Sequence, residues 1–142
     1  MPTDKVMLVD EDALRRLTCM TALQMAGYEV HVFDNVVYAM QAVIYNGQDP
    51  FVMVCQAEGE TGTAAEMKQF LNTKENNNHR RYPLVEIGIS GSLAAQRLMM
   101  TATVPCATAE GDLVSTVKSE FQRMYAPAKS EQYDNVHVAV GF

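Results

Sequence analysis

The chain has no tryptophan and only three cysteines, an odd number. Cys19, Cys55 and Cys106 form no CxxC pair. A disulfide framework is therefore not expected, and the three read as reduced, buried thiols. Histidine is as scarce: His31, His79 and His137 lie far apart, without the spacing that a zinc site needs. Positive charge is also short. Eleven Lys and Arg face 17 Asp and Glu, for a net charge of −6. Such a chain lacks the basic footprint that nucleic acid or an anionic membrane surface requires. No apolar run approaches the roughly 18 residues that span a bilayer. The opening Met1-Pro2-Thr3-Asp4-Lys5 has neither a basic region nor a long apolar region after it, so it reads as no signal peptide. The expected location is the cytoplasm.

What is present is ordinary globular material: 142 residues, 48% apolar and 20% charged. A chain of about 150 residues buries roughly two-thirds of its unfolded surface and folds without a staple. Lys5-Val6-Met7-Leu8-Val9 reads as a strand covered on both faces, closed by Asp10-Glu11-Asp12. Asp12 caps a helix from Ala13 to Ala26, with Leu14, Leu17, Thr18, Thr21 and Met25 along one face and Gly27 at its end. Tyr28 to Phe33 alternates as a strand. Asp34 or Asn35 caps a helix from Val36 to about Tyr45. Phe51 to Cys55 is a second wholly apolar strand.

The loop Gln56 to Gly62 follows, and Thr63 with Glu66 forms a capping box for a helix to about Asn72. Residues 72–82, with four asparagines, read as a mobile loop. Leu84 to Ile89 is a strand. Ser90-Gly91-Ser92 opens a short helix to about Thr101. Residues 103–108 form a strand that Pro105 confines to an edge. A last amphipathic helix runs from Asp112 to about Tyr125, with Leu113, Val117, Phe121 and Met124 on one face.

Five β-α units in succession predict an α/β fold: a doubly wound parallel sheet with right-handed crossovers. The two most apolar strands belong at the centre, and those holding His31 and Pro105 at the edges. The order is then 2-1-3-4-5, the flavodoxin-like arrangement, with its crevice at the carboxyl ends of strands 1 and 3. The domain is expected over residues 4–125. Residues 126–142 read as a tail or linker, in which Asn135 to Phe142 alternates like an extra strand.

Lys5 to Leu17, with its acidic pair directly after the first buried strand, resembles the opening of a response-regulator receiver domain, the CheY-like family. The likeness extends over residues 4–125, mostly by pattern. It implies a module of two-component signal transduction. In that family the acidic pair and an aspartate ending strand 3 hold magnesium, and that aspartate accepts a phosphoryl group. A Ser or Thr after strand 4 and a Lys after strand 5 contact the phosphoryl oxygens. The chemistry accounts for these residue types. Magnesium takes oxygen ligands, the acceptor must be a carboxylate, and a cation must offset the developing charge.

Here Asp10 and Glu11 keep the acidic pair. The acceptor position falls on Gln56, or on Cys55 after a shift of one. The hydroxyl position falls on Gly88 or Ser90, with Ser90 preserving it. The lysine position falls on Ala109, and the aromatic position of strand 5 falls near Cys106. The expectation is a pseudo-receiver: no catalysis, no cofactor beyond a weakly held magnesium at Asp10 and Glu11, and output through protein contacts. A signalling partner or second copy is expected on residues 93–125, which carry Leu98, Met99, Met100, Val104 and Phe121. Other readings stay open. They are a displaced acceptor (Glu58 or Glu60), a small-ligand sensor above strands 1 and 3, and a redox sensor at Cys55 or Cys106. Asp10 to Asp12 could also serve only to cap the first helix.

Overall fold

The computed structural model describes residues 3–88, 104–108 and 111–126. Five strands, β1 (Lys5–Val9), β2 (Glu29–Phe33), β3 (Val52–Gln56), β4 (Leu84–Ile87) and β5 (Cys106–Ala107), form one parallel sheet in the order β2-β1-β3-β4-β5. Among the described residues four helices accompany them: α1 (Ala13–Met25), α2 (Val36–Tyr45), α3 (Ala64–Asn78) and α4 (Leu113–Tyr125). This is the flavodoxin-like order expected from the sequence. Its edges are β2 and β5, and Pro105 sits just before β5, where no ladder N–H is asked of it.

The strands alternate their side chains between two cores. Met7, Val9, Met53, Cys55 and Leu84 pack with Val36, Ala39 and Val43 of α2 and Met67 and Leu71 of α3. Val6, Leu8, Val52, Val54, Val85 and Ile87 pack on the other face with Cys19 and Leu23 of α1 and the inner side of α4. β1 and β3 lie adjacent in the centre, so their carboxyl ends open side by side.

Three expectations are corrected. The helix foreseen to end near Asn72 continues to Asn78, where His79 closes it in the left-handed conformation at φ 55°. Its added turns are anchored. Lys74 reaches the carbonyls of Val43 and Gly47, Glu75 accepts the Tyr82 N–H, and Asn78 donates to the Tyr82 hydroxyl. On α1, the apolar stripe read along one face turns its large side chains to water: Leu14 is 75% and Met25 83% exposed, and Leu17 is exposed too. Cys19 and Leu23 are the buried pair, because Arg15 and Arg16 turn the helix toward Asp10. Finally, Val104 and Phe121, placed on a partner surface, are core residues. The foreseen helix at 92–101, Ser90, Ala109, Leu98, Met99, Met100 and the segment 127–142 lie outside the described residues.

Urea denaturation separates the two faces of α1. Leu23→Ala removes a fully buried side chain and should cost about 2–5 kcal/mol. Leu14→Ala should change stability by no more than about 0.5 kcal/mol. Equal losses would contradict this orientation of the helix.

Candidate functional site

The carboxyl ends of β1 and β3 bring Asp10, Glu11 and Gln56 together. Asp10 has no exposed surface. Its Oδ1 accepts the Asp12 N–H at 2.9 Å and Arg15 Nη2 at 2.8 Å, and its Oδ2 accepts Arg15 Nε. Arg16 donates to the Asp10 carbonyl at 2.8 Å. A buried carboxylate is tolerated only when paired and hydrogen-bonded, and the two-pronged guanidinium supplies both. Asp12 caps α1 as foreseen, accepting the Arg15 N–H at 2.9 Å.

Glu11 turns the other way, over β3. Gln56 Nε2 and both the N–H (3.0 Å) and hydroxyl (2.7 Å) of Thr61 donate to its Oε2, and the Glu60 N–H donates to Oε1 at 3.1 Å. In return, Gln56 Oε1 accepts the Glu11 N–H at 2.7 Å. Gln56 Nε2 also reaches the Gly62 carbonyl at 3.0 Å. The glutamine is fully buried, with both ends of its amide engaged. Thr61 Oγ1 also accepts the Val36 N–H at 3.0 Å, so the 57–62 loop is tied to the start of α2. Gly59 lets this loop lie close: a Cβ there would fall 2.0 Å from Gln56 Nε2 and 2.3 Å from Glu11 Oε2.

These donors hold Glu11 ionised, lowering its pKa from 4.5 to about 2, chiefly through Gln56 and then Thr61. The resemblance to receiver domains implies magnesium, and the residues present do not fit it. Every carboxylate oxygen of Asp10 and Glu11 already accepts hydrogen bonds, Arg15 supplies the positive charge, and the side chain that ends β3 beside them is the Gln56 amide. Among the described residues no group of three His, Cys, Asp or Glu side chains is placed to hold a metal.

The other foreseen positions are distributed as follows. Cys55 lies fully buried in the core beside α2 and α3, and burial pushes its thiol pKa upward. Cys19 is pushed up to about 12, and Cys106 is raised as well. These surroundings hold the thiols protonated and argue against the redox reading. Gly88 follows β4 and donates to the Ala107 carbonyl at 3.0 Å. Thr108 follows β5 and gives its N–H to Asp112 at 2.9 Å. A groove of about 680 Å³, lined in part by Asp4, Gly27, Tyr28, Lys118 and Tyr125, lies at the amino ends of β1 and β2, away from the crevice. Buried Glu86, between Cys55 and Cys106 in register, leaves Oε1 without a hydrogen-bond partner among the described residues. Sequence reasoning missed the roles of Arg15, Thr61 and Gly59. The adjacent Arg15-Arg16 five residues after Asp10, in the first turn of α1, was the available signal.

No protein-family model matches the chain, and no curated protein matches it. Solved structures do. Full-length FixJ from B. japonicum matches at 18% identity and a TM-score of 0.73, over 98% of this chain and 68% of that one. The chemotaxis protein CheY4 of Vibrio cholerae matches at 18% identity and 0.60, over 87% and 99%. A mutant receiver domain of the histidine kinase CKI1 from Arabidopsis thaliana matches at 16% identity and 0.63, over 84% and 89%. The chain has the receiver-domain fold. On this fold the carboxyl ends of β1 and β3 carry a closed hydrogen-bonded cluster, bound to one guanidinium and one amide.

Because Glu11 is held ionised in the fold, its contribution to stability is complete above about pH 4.5 and is lost as pH falls toward 2. Glu11→Gln should lower stability at neutral pH and flatten that acid limb in denaturant titrations. Parallel curves for the two proteins would remove Glu11 from this role. Magnesium at about 10 mM should leave the wild-type Tm unmoved, since only binding to the native state raises it. A rise of several degrees would show that the pocket admits the ion.

Proposed function

We propose that this chain is a receiver-like module of a two-component-type signalling pathway in the cytoplasm, acting through protein contacts and not switched by phosphoryl transfer. Gln56 carries this reading. It ends β3 beside the acidic pair, where the resemblance places the acceptor aspartate. Its amide is no nucleophile, and both its ends are already bonded. Arg15 strengthens the case by neutralising Asp10 from within. The lysine position, which falls on Ala109 by spacing, offers no ammonium. Residues 4–125 would form the module and residues 126–142 a tail or linker.

In this reading the acidic cluster serves conformation. Glu11 and Thr61 join β1, the 57–62 loop and the start of α2 into one fixed arrangement. A partner would then meet a constant surface. Of the face expected at residues 93–125, Val104 and Phe121 contribute packing to the core, so recognition there would fall to its other residues.

Intact mass after incubation with acetyl phosphate and magnesium tests the reading, with an ordinary receiver as control. The expected result is no added phosphoryl group while the control is labelled. A gain that disappears on substituting Glu58 or Glu60 would establish a displaced acceptor and overturn the proposal.

A further inference from the structure

Helix α2 is apolar all round. None of its ten residues, Val36–Tyr45, is charged. Val36, Ala39 and Val43 face the sheet, while Val37, Tyr38, Ile44 and Tyr45 are exposed, Tyr45 at 89%. With Gln41 between them, these outward residues form a stripe about 120° wide at 3.6 residues per turn. A surface helix ordinarily turns a polar face to water, and one apolar on both sides is ordinarily covered on both.

We propose that this face pairs with the same face of a second copy, the two α2 helices running antiparallel about a two-fold axis at Gln41. The stripe is self-complementary in that arrangement, as a two-fold interface demands. Val37 stands opposite the partner's Tyr45 and Tyr38 opposite the partner's Ile44. Gln41 meets its own copy, where each amide can donate to the other's carbonyl. The charges around the helix ends agree. Exposed Asp34 and Glu60 flank the start, Glu60 through Thr61 on the Val36 N–H. Lys5, bonded to Asn46, and Lys74, bonded to the carbonyls of Val43 and Gly47, flank the end, with Asp49 beside Lys5. Antiparallel pairing sets the acidic end of each helix against the basic end of the other and opposes their dipoles. The uncharged centre matters for a chain of net charge −6, because it brings two copies together where neither presents a carboxylate.

A ten-residue helix is about 15 Å long. One helix pair therefore falls in the small class of interfaces, below about 1,200 Å², whose complexes form and dissociate with concentration.

Sedimentation velocity on the full chain from about 10 μM to about 1 mM, the range suited to such a contact, reads the association. The wild type should shift from monomer to dimer across this range. Gln41→Lys and Gln41→Glu each place like charges face to face on the axis and should weaken association at least about tenfold. Their 1:1 mixture places opposite charges there and should restore the dimer. Gln41 is exposed, so neither substitution threatens folding. A wild type still monomeric near the upper concentration, a dimer insensitive to either substitution, or a mixture that stays monomeric would each overturn the proposal. A dimer weakened instead by substitutions on α4 would place the interface there and overturn it as well. The result is independent of phosphoryl transfer, so it stands or falls separately from the reading above.

Discussion

Asp10 has no exposed surface, and an ionised carboxylate without water must be met by charge and hydrogen bonds where it stands. Arg15 meets it with two donors and Asp12 with a backbone N–H. That pairing sets the rotation of α1, turning its first basic residues toward the site and its leucines at 14 and 17 toward water. With Asp10 committed to α1, Glu11 reaches across to β3 and the loop beyond it. The two adjacent acids thus point to different partners, and each is offset by groups of this chain.

The consequence is a receiver fold whose acidic corner is closed from within. Gln56 both donates to Glu11 and accepts from its backbone, which an aspartate at that place could not do while ionised. Thr61 carries the link on to α2. β1, β3, the 57–62 loop and α2 therefore share one network. The conformation of this corner is held by two carboxylates and by the guanidinium, amide, hydroxyl and backbone donors that meet them.

Much of the fold was legible in the sequence because its central strands are short, wholly apolar and ended by polar residues. Val6–Val9 and Phe51–Cys55 could sit only at the middle of a parallel sheet, and Pro105 only near an edge. The helix caps Asp12 and Thr63 were equally plain, whereas Asn35 was one of two candidates beside Asp34. Local propensity failed where distant groups decide. The asparagines after residue 72 look like a loop, yet Lys74 finds carbonyls at the end of α2, Glu75 and Asn78 find Tyr82 across the turn, and α3 is extended. On α1, apolar spacing favours Leu14, Leu17 and Met25 as the inner face, whereas one buried charge governs the rotation. At the site, Asp10 and Glu11 were found by position, and Gln56 as one of two candidates with Cys55, which the structure puts in the core. Arg15, Thr61 and Gly59 were not, since their roles exist only once β1 and the 57–62 loop are side by side.

The central claim is that Glu11 and Gln56 act as one unit. A double-mutant cycle of Glu11→Ala and Gln56→Ala, measured by urea denaturation at neutral pH, tests it most directly. If the clasp operates, the coupling between the two substitutions exceeds about 1 kcal/mol, because either one alone strands the other's polar atoms. Additive effects, within about 0.3 kcal/mol, would mean that the two side chains do not depend on each other. The account of a closed acidic corner would then be wrong.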